Sequence, residues 1–407
     1  DVGRQTISLN MLTEIAKTMS WYKMNDMSVH LNDNEILGYS GKDDTVEHAL
    51  TAYSGFRLES SIQNSEGKKL TSEDMFYTKD GFRDFIQDSR KIGVNITPEI
   101  DSPAHSLAIT KVFPEYAFQT APHAVDQIDL SQPGAVEQMV SLYEEYIGGE
   151  NPVFDRDTTV HIGMDEYFGN GENYRQYGNT LIDLLDNRTV RMWGSLSNIR
   201  GATKVSNEDV QMNIWHTMWA NPKDMYDQGY GLINSQNRCL YIIPGGGWDY
   251  LEPDTLYEEW IPNLFVDSQN NKITYNIPAY SKQMLGGSYH MWHDLSGNID
   301  YGLTESDSFD RFYQPLPVIS EKLWAEGQDK TYEELTETAE KTGLAPNSNP
   351  YAKAKSQTPV ILKYDFDEEL CKDSSGNGYD AVSFTGETAQ GKRGSALVLD
   401  NGTAVTT

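Results

Sequence analysis

The sequence predicts an α/β fold of the (β/α)8 barrel class, and three observations lead to that prediction. Amphipathic helical stretches alternate with short β-branched and apolar runs along most of the 407 residues. About eight such runs are separated by helices, which is typical of parallel strands in one sheet. Acidic and histidine residues follow several of these runs directly, and in a barrel the C-terminal ends of the strands meet at one face.

The elements follow from local periodicity and from residues that start or stop helices. Apolar side chains recur at three-to-four spacing over residues 9–25, which predicts a helix, and "DMSVHL" is predicted as the next strand. A helix over "DGFRDFIQDSRKIG" ends at Gly93, ahead of the strand "VNITPEI". Residues 133–149 begin with Pro and end with Gly, which predicts a helix before the strand "TTVHIG". Further strands are predicted at "VRMW", "VQMNIW", "GLINSQ" and "LGGSYHMW".

The chain changes character near residue 345. We predict a barrel domain over 1–344, a polar and Pro-bearing linker over 345–358, and short alternating strands over 359–407. The last segment is predicted to begin a β-sandwich, although its 49 residues are too few to close one. The start at Asp1, inside a strand-like stretch, leads us to expect that upstream sequence has been left out.

Composition narrows the classes of ligand. A formal net charge of −29 argues against a nucleic-acid partner, because a polyanion would be repelled. The 24 Tyr and 8 Trp suit a neutral ligand such as a sugar, whose C–H faces stack on aromatic rings. Cys239 and Cys371 cannot form a disulfide framework or a zinc cluster of cysteines. No apolar run reaches the 18 or so residues of a membrane span.

The stretch "VHIGMDEYFG" places Asp165 and Glu166 side by side after an apolar run. If the fold holds both carboxylates near one cavity, their repulsion raises the pKa of at least one, which suits acid/base chemistry. Alternatively, strand alternation sends one acid to solvent and the other to a helix N-cap. Polar residues also follow other predicted strands, which favours the first interpretation: Asn32, Asp33, Asp101 and His105.

Five motifs occur in the order found in glycoside hydrolase family 20, which the chain resembles over residues 1 to about 340. They are "DVGR" (1–4), "YKMNDMSVHLND" (22–33), "FRLES" (56–60), "TPEIDSPAH" (97–105) and "HIGMDE" (161–166). The resemblance implies a barrel catalytic domain and a retaining mechanism in which the 2-acetamido oxygen of the substrate is the nucleophile and forms an oxazolinium intermediate. It implies an oligosaccharide or glycoconjugate with a β-linked N-acetylhexosamine as the partner, and neither a cofactor nor a metal.

The resemblance also implies roles for individual residues. Asp165 would hold the acetamido N–H and stabilise the charge that develops on it. Glu166 would protonate the leaving oxygen and later activate water, for which we expect a raised pKa. Tyr241 would donate to the acetamido oxygen. The implied substrate-binding residues are Arg4, Trp193, Trp215, Trp292 and Asp294, and those implied to orient the acid pair are Asp33, Asp101, His105 and His161.

Each assignment has an alternative. The tryptophans could pack in the core, and Arg4 could form a surface ion pair. His105 and His161 could be core histidines or ligands of zinc or manganese. A metal-dependent barrel hydrolase and a non-catalytic glycan-binding protein are therefore the alternatives from other classes. The second would predict a broken acid pair or a lost tyrosine, and both features are present.

Two positions depart from the family pattern. Ile243, in "LYIIPGGGW", occupies the place of an acid in many exo-acting members, and Asp294, in "MWHD", is one methylene shorter than the usual glutamate. Both changes widen the pocket, which the insert at 35–55 could help to shape. This resembles the lacto-N-biosidase branch, which releases Gal-β1,3-GlcNAc; the alternative is an exo-β-N-acetylhexosaminidase that releases single GlcNAc or GalNAc. "YDFDEELCKDSSGNGYDAV" resembles the opening of a laminin-G or concanavalin-like sandwich, and such modules accompany secreted bacterial glycosidases, so we expect a secreted or cell-surface bacterial protein.

Overall fold

The computed structural model describes residues 1–38, 40–119, 121–325, 329–351, 354–367, 369–399 and 402–406. The chain divides into two compact units, 1–348 and 349–407, and the division falls within the predicted linker. Parts of three predicted segments lie outside the described residues: Tyr39 of the insert, 352–353 of the linker, and 368, 400, 401 and 407 of the sandwich. None of the described helices is long and apolar enough to cross a membrane.

The strands of the described residues are short. In chain order they are β1 (Asp26–His30), β2 (Asn32–Asn34), β3 (Ser54–Phe56), β4 (Asn95–Ser102), β5 (Val160–Gly163), β6 (Val190–Trp193), β7 (Val210–Ile214), β8 (Gly231–Asn234), β9 (Tyr241–Ile242), β10 (Leu264–Val266), β11 (Thr274–Asn276), β12 (Met284–Gly287), β13 (His290–Met291), β14 (Ser383–Thr385), β15 (Thr388–Gln390), β16 (Ser395–Leu397) and β17 (Ala404–Thr406).

The α-helices of the described residues all lie in the first unit. They are α1 (Leu9–Trp21), α2 (Val46–Ala49), α3 (Lys79–Lys91), α4 (Leu107–Thr110), α5 (Ala135–Ile147), α6 (Gly171–Leu184), α7 (Pro222–Gln228), α8 (Asn237–Leu240), α9 (Pro253–Glu259), α10 (Glu305–Tyr313), α11 (Leu316–Trp324) and α12 (Tyr332–Thr342). Single 3-10 turns occur at Gly41–Asp43, Pro114–Tyr116, Pro122–Ala124 and Ser296–Asn298.

A parallel sheet of seven strands forms the centre of the first unit in the described part of the chain. Its spatial order is β1-β4-β5-β6-β7-β8-β12, and each neighbouring pair runs parallel. Helices connect most of these strands, as the right-handed crossovers of a barrel require. The predicted last strand, "LGGSYHMW", is divided between β12 and β13, and β13 pairs with β9 in a separate two-stranded ladder. The architecture fits the predicted (β/α)8 class.

The predicted helices form where their capping residues allow. The Ser8 hydroxyl accepts the Met11 N–H at the start of α1, and the Thr78 hydroxyl accepts the Gly81 N–H at the start of α3. The first helix ends at Trp21 rather than near residue 25, because the chain turns at Lys23 with a φ of 62° to enter β1. The backbone turn therefore ends the helix before the end of the periodic stretch.

The register of the sheet gathers polar side chains inside the barrel. His30 lies opposite Glu99, Glu99 lies opposite His161, and His161 lies opposite Arg191 on four successive strands. Side chains alternate between the two faces of a strand, so these four share the inner face. Such layers of inward residues from neighbouring strands fill the interior of a barrel.

The edge strands β1 and β12 are not paired with each other among the described residues. A cavity of about 490 Å³ lies between them, and its lining includes Met19, Met27, Val29, Leu285 and Phe312. Asp1 and Val2 also line it, and the N–H groups of residues 2 and 3 donate to the His30 carbonyl. The N-terminal segment is thereby held beside the C-terminal ends of the strands.

The second unit contains two antiparallel ladders, β14–β17 and β15–β16. One side chain of this unit, Asp373, is only 5 % exposed. The Asp373 carboxylate accepts backbone N–H groups of Lys363, Ser375 and Tyr379 at 2.8–3.0 Å. These bonds hold together the predicted Gly/Ser/Asn turn.

Candidate active site

The two acids lie on a tight turn that follows β5. Gly163, Met164 and Glu166 have φ values of 71°, 83° and 45°, and such a conformation is costly for residues with side chains. The surrounding structure holds the turn: the Met164 N–H donates to the Ser102 carbonyl at 3.0 Å, and the Tyr174 hydroxyl donates to the Met164 carbonyl at 2.5 Å. The strand thus ends in a fixed turn that presents both carboxyl groups at the barrel rim.

Gly163 is required at its position in this motif. A Cβ added there would lie 1.9 Å from Asp101 Oδ1 and 2.7 Å from the Ser102 nitrogen. The Asp101 carboxyl therefore occupies the space of the absent side chain. Asp101 is buried, and burial together with the charge of Asp165 raises its pKa well above the usual range.

Asp165 is the more enclosed of the two acids. Its side chain is 16 % exposed, and its Oδ1 has no hydrogen-bond partner among the described residues. Burial raises the pKa of Asp165 to about 6, with a further rise from the charge of Glu166 and an opposing effect from His105. An unsatisfied buried acceptor is costly, so this oxygen is suited to receive an N–H from a ligand.

Glu166 differs from the prediction made for it. Its side chain is 44 % exposed, and His105 Nε2 lies 3.4 Å from its Oε2. Partial burial raises the pKa of Glu166, but the hydrogen bond and charge of His105 outweigh it and leave the pKa below its usual value. The expectation of a raised Glu166 pKa is wrong for this structure; Asp165 is the member of the pair whose pKa is raised. The resemblance implies that His105 orients the acid pair, but the sequence does not reveal that it faces Glu166 closely enough to lower the pKa of that residue.

A buried network stands behind His105. His105 Nδ1 lies 3.1 Å from Asp33 Oδ1, and Arg4 Nη1 lies 2.9 Å from Asp33 Oδ2. Burial raises the pKa of Asp33, but the nearby Arg4 and His105 charges hold it well below its usual range. Burial lowers the pKa of His105, and the charges of Asp33 and Asp165 more than offset this, so it lies well above its ordinary value. We call Asp33, His105 and Glu166 the acid arm.

Arg4 lies at the centre of a set of ion pairs rather than at the surface. Besides Asp33 it contacts Asp1 Oδ2 at 3.1 Å, Asp294 Oδ1 at 3.0 Å and the Asn34 carbonyl at 2.6 Å. Four of its five N–H donors therefore have protein acceptors. The alternative of a surface ion pair is wrong, because the Arg4 side chain is only 4 % exposed.

The two departures from the family pattern lie on adjoining loops. Gly245 packs so closely on the next loop that a Cβ there would lie 2.3 Å from the Leu295 carbonyl oxygen, which brings the turn that contains Ile243 against the loop of Asp294. The Ile36 N–H, from the insert, donates to the Asp294 carbonyl at 3.4 Å. The insert thus reaches the rim of the site.

Trp193, Trp292 and Tyr241 form a continuous aromatic cluster, which we call the aromatic wall. The ring centroids of Trp193 and Trp292 are 5.7 Å apart, as are those of Trp292 and Tyr241. The Trp292 Nε1–H is buried and without a partner among the described residues. Burial, followed by the charges of Asp165 and Glu166, raises the pKa of Tyr241 well above its usual value, so its phenol stays a hydrogen-bond donor.

Trp215 lies apart from the acid arm and the aromatic wall, whereas His161 lies against the wall. Trp215 packs against His216 and Trp219, with centroids 5.4 and 5.7 Å away, and has no ring contact with the aromatic wall among the described residues. His161 lies beneath Trp193, and its Nδ1 accepts the Gly163 N–H at 3.1 Å. Burial lowers the pKa of His161 to about 4, so it is neutral. Its Nδ1 also lies 3.3 Å from Glu99 Oε1, so His161 supports both the wall and the turn.

Residues 1–183 match the family model described as "Glycosyl hydrolase family 20, catalytic domain". Residues 1–183 therefore belong to glycosyl hydrolase family 20. It is 24 % identical over 322 residues to a lacto-N-biosidase of Bifidobacterium bifidum, covering 70 % of this chain and 26 % of that protein. It is 25 % identical over 378 residues to a beta-hexosaminidase of Emericella nidulans, covering 81 % of this chain and 55 % of that protein. The chain spans about a quarter and about half the length of these curated relatives.

Solved structures of the family support the fold. The crystal structure of a beta-N-acetylhexosaminidase from Bacteroides fragilis aligns with a TM-score of 0.61 at 18 % identity, covering 84 % of this chain and 70 % of the other. A chitobiase from Flavobacterium johnsoniae aligns with a TM-score of 0.60 at 19 % identity, covering 84 % and 50 %. The predicted (β/α)8 class is confirmed by these alignments together with the parallel sheet.

Two groups of three side chains in this site offer nitrogen and oxygen atoms that are close enough together to bind one metal ion. Ligand atoms lie within 4.8 Å of one another in His30, Glu99 and Asp101, and in Asp33, Asp101 and His105. The carboxylates of Asp33 and Glu99 already face cations, since Arg4 and the histidines adjoin them. That no metal is needed stays a prediction.

The sequence interpretation missed His30 and Glu99. Both lie on the inner face of the barrel and link the acid arm to the aromatic wall. A signal was present: polar residues alternate in "DMSVH" and in "TPEID", as on a strand with a polar inner face. His216 was also missed, and the charge of Glu166 is near enough to affect its pKa, which burial lowers overall.

Proposed function

We propose that this chain is a retaining glycoside hydrolase that cleaves β-linked N-acetylhexosaminides by attack of the substrate's own acetamide. The observation that carries the proposal is the Asp165 carboxylate, whose buried Oδ1 has no hydrogen-bond partner among the described residues and lies beside Glu166 and the aromatic wall. Beta-hexosaminidases among the relatives support the same reaction class.

Asp165 and Tyr241 would orient the acetamide from its two ends. Asp165 Oδ1 would accept the amide N–H, and the Tyr241 hydroxyl would donate to the amide oxygen. That oxygen attacks the anomeric carbon as the glycosidic C–O bond breaks, and the resulting oxazolinium carries a positive charge at the ionised Asp165. Holding both amide ends fixes the attack geometry, which is a large part of the rate gain available to an intramolecular nucleophile.

Glu166 would supply the proton to the departing oxygen. In the free enzyme the proton resides on His105, because its pKa is raised and the pKa of the adjoining Glu166 is lowered. A bound sugar that displaces water from Glu166 raises its pKa by desolvation and favours the carboxylic acid. After the leaving group departs, the carboxylate accepts a proton from the water that opens the oxazolinium.

Amide dependence tests this function. An aryl 2-acetamido-2-deoxy-β-glucoside and the matched aryl β-glucoside differ only at the group proposed to attack. We expect kcat/KM to be at least about a thousandfold higher for the first, because the second lacks the intramolecular nucleophile. Equal rates would contradict the mechanism. Binding of N-acetylhexosaminides without turnover would favour a glycan-binding protein.

We further propose that the chain releases a disaccharide, as a lacto-N-biosidase does. Ile243 provides no carboxylate for an outer hydroxyl of a terminal sugar, and Asp294 is drawn towards Arg4 at 3.0 Å. Similarity to the lacto-N-biosidase of Bifidobacterium bifidum supports this choice, while similarity to beta-hexosaminidases supports release of a single sugar. A secreted, bacterial origin stays a prediction.

An aryl lacto-N-bioside offered beside an aryl β-N-acetylglucosaminide separates the two specificities. We expect the disaccharide glycoside to be the better substrate. The Ile243→Asp variant should move the preference towards the monosaccharide by restoring an acceptor, and Ile243→Asn is its uncharged control. Fast cleavage of the monosaccharide glycoside alone would contradict disaccharide release and favour the exo-hexosaminidase hypothesis.

A further inference from the structure

His30 is a buried histidine with a carboxylate on each side. Its Nε2 lies 2.7 Å from Asp33 Oδ2, and its Nδ1 lies 3.0 Å from Glu99 Oε2. The side chains of His30, Asp33 and Glu99 are 4 %, 1 % and 1 % exposed. The acid arm therefore continues inward from Asp33 through His30 to Glu99, well below the barrel rim.

Glu99 also makes a contact in the opposite direction. The Trp193 indole N–H donates to Glu99 Oε1 at 2.6 Å, so the two oxygens of one carboxylate serve two different parts of the site. Glu99 Oε2 faces the cationic His30, which continues the acid arm. Glu99 Oε1 holds the ring of Trp193 in the aromatic wall. Trp292 adds a second link, because its ring lies edge-on to His30 at 5.0 Å.

The fold dictates this arrangement. Parallel pairing of β1 with β4 sets His30 directly opposite Glu99, and both point into the barrel. A buried carboxylate is strongly disfavoured without a cation and hydrogen bonds. His30 supplies the cation, since the charges of Glu99 and Asp33 outweigh burial and raise its pKa to about 9. Other titratable groups near His30 are Asp101, Asp165 and His161.

We propose that Glu99 and His30 are positioning residues that join the acid arm to the aromatic wall, so that the proton donor and the acetamide pocket are held in one fixed relation. The inference rests on the proposed function for its consequence in catalysis. This role requires no proton transfer between Glu99, His30 and Asp33. The pair acts by keeping Asp33, and through it His105, in one charge state and one orientation.

Two substitutions at one position separate the two links. Glu99→Gln keeps an oxygen for the Trp193 N–H and removes the charge that faces His30. We expect kcat on a natural oligosaccharide, which needs the acid, to fall about tenfold, while kcat on an activated aryl glycoside and both KM values change little. Glu99→Leu breaks both links and should also raise KM and lower kcat on the aryl glycoside, as misplacement of the wall would do.

Asp26→Asn is the matched control. Asp26 pairs with the buried Arg191 at 2.6 Å in the same barrel, at the start rather than the end of β1, and contacts neither the acid arm nor the wall among the described residues. Its loss should lower the melting temperature without changing the ratio of the two kcat values. A Glu99→Gln variant that lowers both kcat values equally, as a purely destabilised protein would, overturns the proposal.

A spectroscopic measurement makes the inference independent of turnover. In 15N-histidine-labelled protein, with signals assigned through His30→Gln and His105→Gln, Glu99→Gln should change the titration and chemical shifts of both rings. If the His105 signals match the wild type while hexosaminidase activity is present, the link from Glu99 is absent and the proposed function still stands. If activity on N-acetylhexosaminides is absent but the His105 signals shift, the proposed function fails and the structural link holds.

Discussion

The acid arm and the aromatic wall differ in how complete they are in this structure. Every member of the arm has partners: Asp33 contacts Arg4, His30 and His105, and His105 contacts Glu166. The wall and its neighbours instead include buried polar atoms without hydrogen-bond partners among the described residues, among them Asp165 Oδ1, Trp292 Nε1 and His161 Nε2. The arm is preorganised by the protein, whereas the pocket is arranged for a ligand that supplies the missing hydrogen bonds.

The largest effect should come from Asp165→Asn, which alters the pocket at its unpartnered oxygen. We expect kcat/KM to fall about a thousandfold, or about 4 kcal/mol, because the charge that stabilises the oxazolinium is lost. The loss should be similar for activated and natural substrates, since both pass through that intermediate. Steady-state kinetics on the two substrates check this, and an unchanged rate would remove Asp165 from its proposed role.

Glu166→Gln should remove the proton donor at the end of the acid arm and leave Asp165 and the aromatic wall unchanged. We expect a loss of about 10²–10³-fold on substrates with poor leaving groups and a much smaller loss on activated aryl glycosides, because only the former need a proton donor. Azide should restore part of the rate on the aryl glycoside by attacking the intermediate in place of water. Equal losses on both substrates would show that Glu166 does more than transfer protons.

The raised pKa of Asp165 predicts an acid limit to activity. The carboxylate must be ionised to accept the amide N–H and to stabilise a cation, and its pKa is raised to about 6 in this structure. kcat/KM should therefore decline about tenfold for each pH unit below about 6. A pH profile on an activated substrate isolates this limb from the acid role of Glu166. A flat profile down to pH 5 would contradict the burial seen for Asp165.

Sequence patterns were sufficient to find the catalytic pair but not its electrostatics. Asp165 and Glu166 follow a strand, and their adjacency is visible in the sequence. The direction of their pKa shifts depends on His105, which arrives from another strand end, and on burial, neither of which adjacency determines. The link through His30 and Glu99 depends on the register of two strands, which a single sequence does not fix.

The same limit applies to the tryptophans. All three were placed correctly at strand ends: Trp193 ends β6, Trp215 follows β7, and Trp292 follows β13. Position after a strand does not tell whether rings meet, and only Trp193 and Trp292 are in contact. The barrel class itself was predictable because helix and strand periodicities alternate along the chain, and that alternation does not depend on any single contact.

A smaller effect should appear in the stability of the acid arm as a function of pH. The folded-state pKa of His30 is raised to about 9, against about 6.5 in an unfolded chain, so its stabilising contribution is complete below pH 6.5 and is lost as the pH rises towards 9. The contribution corresponds to about 3 kcal/mol. Denaturant unfolding at pH 6.5 and pH 9 should show it, and His30→Gln should be less stable at pH 6.5 and lose most of this slope.

The smallest effect is expected from removal of metal ions. His30 has a carboxylate oxygen at each ring nitrogen, so neither nitrogen is available to a cation, and the raised pKa of His105 opposes the neutral form that a metal ligand requires. Asp33 is already neutralised by Arg4 and the two histidines. Extended dialysis against a chelator should therefore leave kcat/KM unchanged within error. Loss of activity that zinc restores would instead favour the metal-dependent hydrolase, because the carboxylates of the arm would then be ligands rather than partners of His30 and His105.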